Sequence, residues 1–150
     1  MYAILEERSQ MLSTGGASNS SARWVLGDVV GLYDSIHIEY RNMPMPENAS
    51  DEEISFIEHA VYADVFQTKD LYNSLDHYLI DEYGRFFSLN VSDFDQTIDK
   101  QEYIHQHIEC YTSINIDNER FWLNYDIKFT DGILSEIKVL EWKKLKMGVQ

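Results

Sequence analysis

Between Phe121 and Phe129 every second residue is apolar: Phe121, Leu123, Tyr125, Ile127 and Phe129, separated by Trp122, Asn124, Asp126 and Lys128. A period of two sends successive side chains to opposite faces of a strand, so this stretch belongs in a sheet with one buried face. Thr130-Asp131-Gly132 follows, and glycine accepts the positive φ that hairpin loops require. A second apolar run then reaches Trp142. The segment 119–142 therefore reads as an antiparallel hairpin.

Loop length decides its register. A two-residue loop sets Ile127 opposite Glu136 and Tyr125 opposite Lys138, which mixes the faces. A three-residue loop ending in Gly132 sets Phe129 opposite Ile133, Tyr125 opposite Ile137 and Leu123 opposite Val139. The second register is expected, because a one-residue slip turns the returning apolar set to water. It also places Arg120 opposite Trp142 and sets the like charges of Asp126 and Glu136 against each other.

Other segments repeat the pattern. Phe87, Leu89 and Val91 alternate within 86–91, and Ile104, Ile108, Cys110, Ile114 and Ile116 share one face of 103–116. Ile36, Ile38 and Tyr40 mark a strand over 35–42, ended by Met43-Pro44-Met45-Pro46, since proline withholds the ladder donor. Residues 92–101 read as a polar connection.

Ser50-Asp51-Glu52-Glu53 has the form of a capping box and predicts a helix start. Its apolar row runs Ile54, Ile57, Val61, Val65, Thr68, Tyr72, Leu75 and Leu79, in steps of three and four, to a C-cap at Gly84. This is one helix over 51–83 or two meeting near Gln67–Lys69, and two are preferred because a single helix of that length is unusual in a small domain. Toward the N-terminus, 2–12 has the spacing of a short helix and 13–21 the composition of a linker. Residues 1–21 are thus expected to form an arm, and 23–33 is ambiguous between helix and strand. Gly15-Gly16 lacks the lysine and spacing of a phosphate loop.

The expected fold class is α+β: an antiparallel meander of four to five strands (86–91, 103–116, 120–129 and 133–142, joined by 35–42) with helices packed on one face. At 150 residues the chain reads as one acidic domain, long enough to bury about 70% of its unfolded surface. A hydrophobic content of 44% beside 25% charged residues is that of a folded protein.

Charge narrows the function. The net charge of −14 argues against direct contact with nucleic acid or an anionic membrane, which both reward clustered Lys and Arg. Residues 28–82 hold thirteen acids against Arg41 and Lys69, whereas Lys138, Lys143, Lys144 and Lys146 gather near the C-terminus. No apolar run has the length of a membrane span, no basic and apolar leader opens the chain, and the single Cys110 forms no internal disulfide, so a cytoplasmic setting is expected.

Chemical motifs are sparse. No Walker loop, dinucleotide fingerprint, G-x-S-x-G, H-E-x-x-H or zinc-spaced cysteine pair occurs. His105 and His107, two apart on a strand, point the same way, and a zinc ion closes on such a pair when Glu109 or Asp126 supplies a third ligand. A four-residue loop over 117–120 instead sets Cys110 opposite Ile127, Ile114 opposite Leu123 and Glu109 opposite Lys128, which satisfies that carboxylate. No metal, cofactor or catalytic residue is therefore expected, and Cys110 reads as a small buried hydrophobe.

The expected role is that of an acidic interaction protein, not an enzyme. Carboxylates on an exposed helix stand in for phosphates, speed association, and occupy the basic surface of a partner such as a nuclease or other nucleic-acid enzyme. Phage anti-defence inhibitors, including those of CRISPR nucleases, and toxin-immunity proteins offer an analogy of charge and size. The contact residues expected are Glu52, Glu53, Glu58, Asp64, Asp70, Asp76 and Asp81, with Phe56 and Tyr78 as aromatic anchors. A homodimer through the aromatic sheet face, carrying Tyr103, Tyr111, Trp122, Leu140 and Trp142, is a further expectation. The alternative is a small-molecule enzyme or binding domain with a cone-shaped pocket in a curved sheet, as in cystatin-like and nuclear-transport-factor-like folds, lined by His105, His107, Tyr111 and Asp126.

Overall fold

The computed structural model describes residues 32–146. The readings of 2–12, of 13–21 with Gly15-Gly16, and of 23–31 lie outside them. The described chain runs β1 (Asp34–Ile38), α1 (Asp51–Ala63), β2 (Phe66–Thr68), β3 (His77–Ile80), β4 (Phe86–Val91), β5 (Gln96–Gln101), β6 (Gln106–Ile116), β7 (Glu119–Thr130) and β8 (Ile133–Lys144). All eight strands form one sheet in the order β5-β4-β3-β1-β2-β6-β7-β8. Over the described residues the fold is thus mainly β with one 13-residue helix, which corrects the expected α+β meander of four to five strands under several helices.

The sheet curls on itself. Arg85, at the start of β4, bridges Ile133, at the start of β8, although β4 and β8 stand near opposite ends of the strand order. Phe86 N–H donates to the Gly132 carbonyl (3.0 Å) and Leu134 N–H to that of Gly84 (2.8 Å), so the β7–β8 turn is stitched to β4. Inside the curl lie Ile36, Phe66, Ile80, Phe86, Ile108, Tyr125, Ile127 and Phe129, none with measurable exposure, and α1 adds Ile57, Ala60 and Val61. Phe86 stacks with Tyr78 at 5.2 Å and tilts against Phe129 at 4.8 Å.

The β7–β8 hairpin opens in the two-residue register and departs from the expected three-residue one along its whole length. Its turn is the two-residue Asp131-Gly132, both at positive φ (50° and 79°), with Thr130 opposite Ile133. Register shifts between Lys128 and Phe129 and between Asn124 and Tyr125 then realign the faces. A β-bulge absorbs one residue in this way. Tyr125 therefore meets Val139, Leu123 meets Trp142 and Phe129 meets Leu134, where Ile137, Val139 and Ile133 were expected, and Trp142 is taken by Leu123 and not by Arg120. The like-charge pair disappears, because Asp126 faces Lys138 and Lys128 faces Glu136.

The preceding turn is also two residues long, Asp117-Asn118, both left-handed (φ 52° and 68°). Cys110 accordingly faces Tyr125, Ile114 faces Phe121, and Glu109 faces Asp126, where Ile127, Leu123 and Lys128 were expected. Glu109 finds a neutral donor instead, the Asn124 amide at 3.1 Å.

The helix starts as its capping box requires: Ser50 Oγ accepts from Glu53 N–H (3.1 Å) and Glu53 Oε1 from Ser50 N–H (3.0 Å). It ends at Ala63, not near Tyr83, with Asp64 as an extended C-cap (φ −99°, ψ 164°). Beyond it the apolar residues alternate, and Phe66 with Thr68, then Tyr78 with Ile80, point into the core from β2 and β3. The intervening loop is held from a distance. Asp34, fully buried at the head of β1, accepts from the N–H groups of Asn73 (2.7 Å), Ser74 (3.0 Å) and Asp76 (2.9 Å). Asn73 and Leu75 take positive φ there, which no continuing helix permits. Gly84, expected as a helix cap, belongs to the turn that Asp81 organises.

Two further boundaries differ. The 35–42 strand stops at Ile38 and is central, parallel to β3 and antiparallel to β2. The polar stretch 92–101 contains the exposed strand β5, held by its ladder to β4 without any apolar periodicity to announce it.

Candidate functional site

The outward side of α1 is the first candidate. Helical geometry sends Ile57, Ala60 and Val61 inward and leaves Asp51, Glu52, Glu58, His59 and the 40%-exposed Phe56 facing water. No basic residue lies in the last turn, and Asp64 is exposed where the helix ends. Among the described residues, no Lys or Arg is ion-paired with any of these carboxylates; the Lys and Arg pairs are Arg85–Asp81, Lys143–Glu141 and Lys144–Glu119.

The remaining expected contact residues are differently employed. Glu53 is half-buried, closing the capping box and accepting from Trp142 Nε1 at 3.2 Å. Asp70 is exposed, yet its Oδ2 accepts from Glu109 N–H at 2.7 Å, and Asp76 accepts from the Ser74 hydroxyl at 2.8 Å. Asp81 is folded in, held by Arg85 Nε at 2.7 Å and by the N–H groups of Tyr83 and Arg85. Tyr78 is 5% exposed and buried in the core, where burial pushes its phenol up. The helical phase that would set both among outward carboxylates ends before reaching them, and both turn inward.

The histidine motif lies on the sheet's outer face. His107 Nδ1 stands 3.0 Å from Asp126 Oδ2, and His105 Nδ1 accepts from Asp131 N–H at 3.3 Å, so the two imidazoles face separate partners. The space inside the curl, where a cone-shaped pocket would open, is filled by Phe66, Phe86, Tyr125 and Phe129. Tyr111 stacks on Trp122 at 4.9 Å, and Trp122 Nε1 donates to Glu141 at 3.1 Å. Much of the aromatic area expected to pair two copies is thus engaged within the chain, and Trp142 is buried against Phe121. Cys110 has no exposure, and burial pushes its thiol up, away from nucleophilic chemistry.

A cluster that the sequence did not single out lies where β1 and β3 run parallel. His37 Nε2 is 3.2 Å from His77 Nδ1, and the Gln96 amide reaches the same His37 nitrogen at 3.2 Å. Burial lowers the affinity of both rings for a proton; His77 lowers that of His37 further, while Asp76 and Asp34 oppose the effect at His77. An open cleft of about 390 Å³ adjoins His37, lined in part by that residue, Glu39, Tyr62, Asp64 and Gln96. The only local signal was a histidine at alternate positions of each of two strands, and their pairing is a long-range event.

No helix among the described residues is long and apolar enough to cross a membrane. No protein-family model matches the chain, and neither the curated proteins nor the solved structures compared with it include a match.

Proposed function

We propose that this protein is an acidic binding protein that occupies a basic surface of a partner, one that otherwise holds the phosphates of a nucleic acid. The observation that carries the reading is the outward side of α1, where Asp51, Glu52 and Glu58 stand exposed without a cationic partner among the described residues. Asp51 and Glu58 are separated by about 10 Å along the axis, at 1.5 Å per residue. Asp64 is exposed where the helix ends, and Phe56 supplies exposed apolar area on the helix. With a chain charge of −14, the surrounding field favours approach of a cationic surface and disfavours approach of a nucleic acid. We read the compartment as the cytoplasm, where the one thiol stays reduced.

Long-range attraction acts on the association rate, and rim charges seldom contribute through close contact. The test is to purify a partner retained at low salt and released at high salt, then follow its association with the parent and with Glu52→Lys/Glu58→Lys/Asp64→Lys. Association should slow at least about tenfold and lose most of its salt dependence, and the parent should compete with duplex DNA for the partner. Equal rates for both proteins, or a partner that binds DNA and this protein together, would refute the proposal.

A further inference from the structure

In the parallel pair of β1 and β3, Ser35 stands opposite His77 and His37 opposite Leu79, which puts the two histidines diagonally on the same outer side of neighbouring strands. Their ring centroids are 5.5 Å apart with planes inclined by 31°, and His37 Nε2 faces His77 Nδ1 at 3.2 Å. Gln96, brought over by β5, reaches that same nitrogen at 3.2 Å. A neutral imidazole nitrogen offers either one N–H or one lone pair. His37 Nε2 meets two polar partners with that single valence.

One ion removes the conflict. Two nitrogens bound tetrahedrally at about 2.0–2.1 Å from a zinc ion stand about 3.3 Å apart. The observed 3.2 Å is close to that separation. Gln96 can turn its amide so that the carbonyl oxygen, a third donor, faces the same point.

We infer that His37 and His77, with the side-chain carbonyl of Gln96, form the seat of one divalent transition-metal ion of the zinc, nickel or copper class. Imidazole nitrogens suit these ions. Asp34 and Asp76 lie close enough to His77 to favour a positive charge beside it. The neighbouring cleft gives an entry path with Glu39 and Asp64 in its lining. Among the described residues no third His, Cys, Asp or Glu joins the pair, so water completes the coordination and the ion is exchangeable. Binding ties the β4–β5 hairpin, through Gln96, to β1 and β3.

The experiment titrates the tag-free full chain with Co²⁺, read by its visible d–d absorption, then displaces it with Zn²⁺ and Ni²⁺ while following the melting temperature. Saturation at one ion per chain and a rise in melting temperature are expected. His37→Ala and His77→Ala should each weaken binding by more than the 10–100-fold typical of outer-shell losses. Gln96→Ala should weaken it less, and His59→Ala/His105→Ala/His107→Ala should leave it intact. Absence of binding, binding that survives both single variants, or binding lost only with the three surface histidines would overturn the inference. Should either single variant fail to fold, the imidazole ¹⁵N resonances of the parent decide the matter: Zn²⁺ must shift those of His37 and His77 and spare the other three.

Discussion

Asp34→Ala should be among the most damaging single substitutions in this chain. The Asp34 carboxylate is fully buried and is the acceptor for three backbone N–H groups of the loop between β2 and β3. Hydrogen bonds to a charged group contribute about 1.5–3 kcal/mol each. Two of the three donors, on Ser74 and Asp76, belong to exposed residues, and water replaces part of what they lose. Removing the carboxylate also removes the cost of holding it out of water. The net loss comes to about 3–4 kcal/mol, a large share of the 5–15 kcal/mol that holds a domain together. For a chain of this size that corresponds to a fall in melting temperature of about 10 °C. Asp34→Asn keeps one carbonyl oxygen for Ser74 and Asp76 but turns its amide toward Asn73, so about half the loss is expected.

The same substitution carries a pH signature. Burial raises the Asp34 carboxyl above its ordinary value of 3.8, despite the three donors that lower it. The folded state therefore holds this proton more tightly than the unfolded chain does. Its contribution is full below 3.8 and is lost as pH rises through the higher folded value. The stability of the parent relative to Asp34→Asn should accordingly decline as pH rises from 3 toward about 7. Urea titrations of parent, Ala and Asn proteins at several pH values measure all three quantities. A loss under about 1 kcal/mol for Asp34→Ala, or a parent-to-Asn difference that grows with pH, would show that this carboxylate does not organise the loop.

Three other substitutions and one modification test the fold. A Cβ at Gly132 would sit 2.5 Å from the Glu102 carbonyl oxygen, on a residue at φ +79°, so Gly132→Ala should cost at least about 2 kcal/mol in chemical denaturation; a neutral outcome would contradict the close approach of the turn to Glu102. Ser50→Ala should cost about 1 kcal/mol and Glu53→Ala more, because the latter strips the Trp142 indole as well as the cap; equal losses in thermal melts would mean that the indole contact contributes nothing. The Cys110 thiol should resist a thiol reagent in the native protein and react at the rate of unfolding, and rapid labelling under native conditions would contradict its burial.

Local chemistry was enough to define the faces of the long strands and the start of the helix. Phe121, Leu123, Tyr125, Ile127 and Phe129 are all buried because alternation is a property of a strand wherever it pairs. Ser50 and Glu53 cap α1 because their partners lie within one turn. The candidate carboxylates of that helix, Glu52 and Glu58, face water for the same local reason.

Where the helix ends was not decided locally. The apolar spacing from Ile54 to Leu79 fits a helical row, but Phe66, Thr68, Tyr78 and Ile80 also fit alternation, and short apolar patterns satisfy both periods. The choice fell to Asp34, which binds loop backbone about forty positions along the chain, and to the closure of the sheet at Arg85 and Ile133. Tyr78 and Asp81 went inward with that choice, while Phe56 stayed at the surface.

By itself, then, the sequence determined the alternation of the long strands, the cap of the helix and a net charge of −14. Tertiary structure alone decided strand order, the bulges that rescued the hairpin register, and the meeting of His37, His77 and Gln96. The physical reason is range. Periodicity and capping act between residues a few positions apart, whereas ladder pairing and buried charge act between segments that only the folded chain brings into contact.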